Sequence, residues 1–185
     1  MIIGITGKIG SGKSTLATYL SNESDFHEYS FASPLKEIGR IFGFSDSQLY
    51  GTQDEKLAIH PYWGISAREF LQKVGTDLFR EQFKRVLPNM KCESVWIDLF
   101  KKKYREDPSV NYVISDVRFK DEARAIRELG GKIIRISREF KTLDSVQTHI
   151  SETELSQIEC DFELDNNGEF SETLTKLNAF LGACN

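Results

Sequence analysis

Gly7-Lys8-Ile9-Gly10-Ser11-Gly12-Lys13-Ser14 fits the pattern G-x-x-x-x-G-K-[ST], whose residue types and spacing suit a polyphosphate. The glycines let a loop fold closely around phosphate oxygens with its backbone N–H groups pointing inward. A helix opening at Lys13 would add its N-terminal dipole. Lys13 would then reach the β- and γ-phosphates, and Ser14 would ligate Mg²⁺. Gly7, Lys8, Gly10, Ser11, Gly12, Lys13, Ser14 and Thr15 are the candidate ATP-binding residues. The motif follows an apolar run and precedes a helix-forming stretch, as it must; a plain Gly-rich turn is the competing reading.

A second group lies at residues 112–118. Tyr112-Val113-Ile114-Ser115-Asp116 is an apolar strand ending in an acid, the form of an element that holds Mg²⁺ or its water. Asp116 is thus a candidate metal and substrate residue, acting through water, and Arg118 could bridge two anions by bidentate contacts. The alternative is a solvated strand-end acid beside a surface arginine.

Arg68, Gln72, Thr76 and Arg80 recur every four residues, which on one helix gives a polar stripe fit for a phosphate and a base edge. A solvated helix face is the other reading. Arg138, Lys141 and His149 sit in a polar stretch that could close over reacting phosphates or be an ordinary loop. Phe31, Trp63 and Trp96 are candidates to stack on a base, against the more usual role of core residues.

The elements that must position these residues follow from periodicity. Strands are expected at 1–6, 26–31, 110–115, 133–136 and 161–164. Helices are expected at 13–20, 34–42, 66–86, 93–104, 120–129 and from 170 to about 181, with Gly75 or Asp77 able to break the third. Strands alternating with helices, two of them apolar throughout, imply an α/β fold with a parallel sheet covered by helices on both faces. Ligands then belong beyond the carboxyl ends of the strands. The chain has 185 residues, with 39% hydrophobic and 28% charged, and carries neither repeat nor low-complexity tract, so one domain is expected. Within it the acceptor-binding region would cover about 31–88 and the lid about 138–150.

A net charge of −4 argues against a nucleic-acid polymer as partner. No run is long enough for a membrane span, and no signal peptide is visible. The three cysteines lack metal-ligand spacing and read as reduced thiols of a cytoplasmic protein.

Four segments carry a family likeness: Phe31-Ala32-Ser33-Pro34-Leu35-Lys36, the run from Arg68 through Gln72, Gly75-Thr76-Asp77 and Arg80, Ser115-Asp116-Val117-Arg118-Phe119, and His149 with Ser151-Glu152. In this order the chain resembles the deoxynucleoside monophosphate kinases of phages and related viruses. The resemblance implies a three-layer P-loop kinase fold with a mainly five-stranded parallel sheet, helices on both faces and a small lid, ATP with Mg²⁺, small nucleotides as ligands, a deoxynucleoside monophosphate as acceptor and a homodimer. It implies that Lys36, Arg68, Gln72 and Arg118 bind the acceptor and that Arg138 belongs to the lid, host cytoplasm being the setting if the source is viral. It also likens Asp165-Asn166-Asn167-Gly168 to a loop that touches adenine, with Asn167 the candidate contact; a plain Asn-Gly turn competes.

A monophosphate acceptor already carries nucleophilic oxygens at neutral pH, its second pKa being about 6. Positioning and charge neutralisation by Lys13, Arg118 and Arg138 would then matter more than a general base. The end of the second strand, Tyr29-Ser30-Phe31, offers no acid for a hydroxyl acceptor, although Asp116 could serve. Dephospho-CoA or phosphomevalonate as acceptor, and a non-catalytic nucleotide-binding switch, are the alternatives. The arginine stripe speaks against the switch, as does the absence of an N-K-x-D signature.

Overall fold

The computed structural model describes residues 1–92, 94–139 and 154–184. Two compact units emerge: Met1–Ser30 with Asp107–Asn185, and the intervening Phe31–Glu106.

The first unit holds a five-stranded, all-parallel sheet of order β2-β3-β1-β4-β5. Its strands are β1 (Ile2–Thr6), β2 (His27–Tyr29), β3 (Tyr112–Ile114), β4 (Lys132–Ser137) and β5 (Phe162–Asp165). β1 is buried along its whole length, as an apolar central strand covered on both faces must be. Helix α1 (Lys13–Glu23) turns Leu16, Ala17 and Leu20 inward at helical spacing. They pack with Ile3, Ile5, Ile134, Ile136 and Leu164, and with Leu177 of the last helix, Phe170–Cys184. Each such aliphatic side chain stabilises the fold by about 1.5–3 kcal/mol.

The opposite face is tighter. A Cβ on Gly4 would lie 2.7 Å from Ile126 and 2.8 Å from Ile133, so the glycine admits the helix Lys120–Glu128 against β1. The strand order reverses at β1, whose neighbours are β3 and β4. This places the topological switch point, where ligands gather in open α/β sheets, at the carboxyl end of β1. The expected three-layer α/β fold is found, with β2 and β3 shorter than the apolar runs suggest.

The second unit is helical. It contains α2 (Ser33–Ile41), α3 (Asp46–Tyr50), α4 (Gln53–Leu57), α5 (Ala67–Gln72), a π-helical segment Lys73–Gln82, α6 (Phe83–Val86) and α7 (Val95–Glu106). In the first unit, Lys120–Glu128 is α8 and Phe170–Cys184 is α9. Ser45 with Gln48 and Thr52 with Glu55 form reciprocal capping boxes that start the two short helices. Ser66 accepts from the Glu69 N–H at 3.1 Å and starts α5. Phe44, Leu49, Ala67 and Phe70 make the core, with Ile38, Ile65, Leu71 and Val74 against it.

The chain does not break at Gly75 or Asp77. It stays helical from Ala67 to Val86 by widening into π geometry over ten residues. Gly75 permits close packing, since a Cβ there would come within 2.5 Å of Leu35. Its carbonyl accepts from Trp96 Nε1–H at 3.1 Å.

Candidate active site

The loop after β1 is built for close approach. Gly7 has φ +150° and Gly12 φ +104°, backbone states that favour glycine. A Cβ on Gly7 would overlap the Ile136 carbonyl, and one on Gly12 would come within 2.6 Å of Asn166 Nδ2. Lys13 folds back over the loop, its ammonium donating to the carbonyls of Gly7 at 2.6 Å and Lys8 at 2.7 Å. Ser14 and Thr15 are exposed in the first turn of α1. The hydroxyls of Thr6 and Ser11 are buried without a hydrogen-bond partner among the described residues. A buried orphan hydroxyl costs about 1–3 kcal/mol unless something pairs with it, so the loop suits an oxygen-rich ligand.

β1 and β3 are parallel neighbours, so Ser115 and Asp116 leave the sheet at the same edge as this loop. Asp116 Oδ2 accepts the Ser30 hydroxyl at 2.7 Å. Burial and the nearby Asp116 carboxylate push the Tyr29 phenol up from 10.0 to about 12. The backbone N–H groups of Arg118 and Phe119 donate to Glu122 Oε2 at 2.8 and 3.1 Å. Glu122, only 3% exposed, thereby fixes the turn that carries Arg118.

The loop after β5 also reaches this edge. Asn166 is buried and donates through Nδ2 to the Ser11 carbonyl at 3.0 Å. Asn167, the residue expected near adenine, uses its Oδ1 to accept from the Glu139 N–H at 2.7 Å and its Nδ2 to donate to Asp165 at 2.6 Å. Arg138, the adjacent lid candidate, is exposed just beyond β4. Lys141 and His149 lie outside the described residues.

Within the second unit, Lys36 sets its ammonium 4.2 Å from the Tyr50 ring centroid. Arg68 donates to Gln53 Oε1 at 2.7 Å. Gln72 and Arg80 are half-buried and Thr76 is buried. Positions four apart advance by about 40° per step on an α-helix, so a long α-helical stripe would wind away. A π-turn holds more than four residues, so the drift changes sign after Gln72 and the stripe is drawn back toward one line. Phe31 is 3% exposed and sits edge-on to Phe100, and Trp96 is 6% exposed. Both are core residues. Trp63 keeps an open face; its Nε1–H donates to the Phe42 carbonyl at 2.6 Å, and its ring meets Phe42 and Tyr62.

Sequence reasoning missed Ser30, Glu122 and Asn166. Glu122 follows Phe119 at the spacing of a helix-capping glutamate, a usable local signal. Ser30 and Asn166 have partners far along the chain, and no local pattern marks them.

Residues 39–177 match the family described as deoxynucleotide monophosphate kinase, a span that begins after the P-loop and so does not draw on it. The chain belongs to that family. It is 40% identical to the "Putative deoxynucleotide monophosphate kinase" of Acanthamoeba polyphaga mimivirus, over 96% of this chain and 94% of the relative. It is 28% identical to the deoxynucleotide monophosphate kinase of Escherichia phage RB69 and 29% to that of Enterobacteria phage T4, over 66% and 64% of this chain. In those two comparisons this chain spans about half the length of the relative, 47% and 46%. The crystal structure of TT1252 from Thermus thermophilus shares the fold, with a TM-score of 0.52 at 17% identity, covering 99% of this chain and 97% of that one.

Proposed function

We propose that this protein transfers the γ-phosphoryl group of ATP to a deoxynucleoside monophosphate, giving the diphosphate and ADP. The observation that carries this reading is a P-loop with Lys13 held over it and a buried Ser11 hydroxyl that has no partner among the described residues, in a chain of the family named for that acceptor.

The N–H groups of residues 7–14 bind the donor phosphates, and Lys13 exchanges the Gly7 and Lys8 carbonyls for phosphate oxygens. Arg118 and Arg138 add positive charge as the phosphoryl group moves. Lys36, Arg68, Gln72 and Arg80 hold the acceptor, with Trp63 the aromatic whose open face suits a base and Phe31 giving support from the core. Asn167 lies beside the adenine. Mg²⁺, arriving with the nucleotide, would neutralise charge on the transferred group. Two features fit it: the exposed Ser14 hydroxyl at the start of α1, and the Asp116 carboxylate oriented by Ser30. At the end of β2, where a hydroxyl acceptor would call for a carboxylate base, stands Ser30, and this favours a phosphate acceptor.

Residues 1–185 form, in this reading, one kinase domain with its acceptor region at 31–88 and its lid at 138–150, most of the lid lying outside the described residues. Its partners are small nucleotides and a second copy of itself, in host cytoplasm if the source is viral. Neither a nucleic-acid polymer nor a membrane is a partner; the net charge of −4 supports the first, and no described helix is long and apolar enough to cross a membrane.

ADP release from Mg-ATP with each common deoxy- and ribonucleoside monophosphate tests the proposal, with phosphomevalonate and dephospho-CoA as controls and Lys13→Ala alongside. Lys13-dependent turnover with a deoxynucleotide is expected. Turnover with a control acceptor alone would overturn the substrate, and ATP binding without acceptor-dependent turnover would point to a switch module.

A further inference from the structure

Asn166 connects β5 to α9 and is 7% exposed. Three polar groups of this residue have partners in the first unit. Its backbone N–H donates to the Ser137 carbonyl at 2.8 Å. Its Nδ2 donates to the Ser11 carbonyl at 3.0 Å, and its Oδ1 accepts the Thr173 hydroxyl at 3.2 Å. Thr173 is itself 1% exposed and also reaches the Asp165 carbonyl at 3.3 Å. A hydroxyl donor on one end and a carbonyl acceptor on the other leave the amide a single satisfied orientation.

The Ser11 carbonyl and the Gly12 N–H belong to one planar trans peptide and therefore point in opposite directions. Pinning the carbonyl to Asn166 turns the Gly12 N–H to the other side of the loop. Gly12, at positive φ, gives this peptide plane little resistance to rotation on its own side. Gly12 also needs to lack a Cβ for Asn166 to come this close.

We infer that Asn166 is a positioning residue of the P-loop: its side-chain amide locks the Ser11–Gly12 peptide so that the Gly12 N–H is held ready for a phosphate oxygen, and Thr173 locks Asn166. The inference rests on the reading of residues 7–14 as a polyphosphate site. It assigns the loop after β5 a role toward phosphate, separate from any contact with a base.

The test is binding of Mg-ATP and of inorganic tripolyphosphate by calorimetry, and of adenosine by NMR shift titration, to wild type, Asn166→Ala and Thr173→Val. Thermal unfolding and the Gly12 amide signal are followed in each. Asn166→Ala should lose about tenfold in affinity for both ATP and tripolyphosphate, about 1.4 kcal/mol, with adenosine unchanged and the Gly12 amide moved. Thr173→Val should show a smaller loss of the same pattern, and carries the test if Asn166→Ala does not fold. Unchanged tripolyphosphate binding in a folded variant would overturn the inference, as would an equal loss for adenosine. A wild type that binds neither ATP nor tripolyphosphate would instead overturn the polyphosphate reading beneath it.

Discussion

The Ser30 hydroxyl donates to Asp116 Oδ2 at 2.7 Å and so joins the carboxyl ends of two neighbouring strands, β2 and β3. The bond fixes the orientation of the carboxylate at its Oδ2. Groups that orient a metal-binding carboxylate are worth about 10–100-fold in metal affinity. Ser30→Ala should therefore raise the Mg²⁺ concentration for half-maximal activity by roughly that factor. Turnover at saturating Mg²⁺ should change far less. A Mg²⁺ titration of both proteins at fixed ATP measures this, and an unshifted midpoint would remove Ser30 from the metal's surroundings.

Lys13 donates to two carbonyls of its own loop, and the bond to Lys8 is exposed. Lys13→Ala should leave the unfolding temperature close to that of wild type. Phosphoryl transfer should fall on the order of 10²–10³-fold, the scale of losing one charged donor at a transition state. A coupled ADP assay beside a thermal melt separates the two effects.

Tyr29 gives a pH signature. Its phenol is raised from 10.0 to about 12 in the folded protein, first by burial and then by Asp116. The folded state thus favours the neutral phenol. This contribution to stability is fully present below pH 10 and is lost as pH climbs to about 12. Urea midpoints across that window should fall more steeply for wild type than for Tyr29→Phe. Parallel curves would mean that the phenol ionises alike in both states.

The indole of Trp96 supplies the hydrogen bond to the Gly75 carbonyl from within the second unit. Trp96→Phe keeps much of the ring but removes this donor, leaving a buried carbonyl short of one partner. The expected loss is about 1–3 kcal/mol in urea unfolding. A neutral result would mean that water reaches Gly75.

The sheet and the P-loop could be read in advance because their signals are local: β-branched runs for the strands, and glycine spacing for the loop. The polar stripe on 68–80 was equally visible. The π geometry that carries it was not, because ten residues are too few for apolar periodicity to separate turns of 3.6 residues from wider ones. Between two adjacent asparagines, the sequence pointed to Asn167 as the ligand contact. Its neighbour Asn166 lies against the P-loop, a pairing with a partner 155 residues away that no spacing rule reveals. Trp63 and Phe31 looked alike as aromatics, and only their exposure, 44% against 3%, tells them apart.

The wide turns between Lys73 and Gln82 also have an evolutionary consequence. On a regular helix, each codon gained or lost swings everything downstream by about 100°. A helix that already tolerates surplus residues can absorb such an event without unravelling. Deleting a codon here would re-aim Arg80 while Arg68 stayed in place on α5. A lineage could thus retune what this helix presents through length changes alone, with the flanking strands and their register untouched.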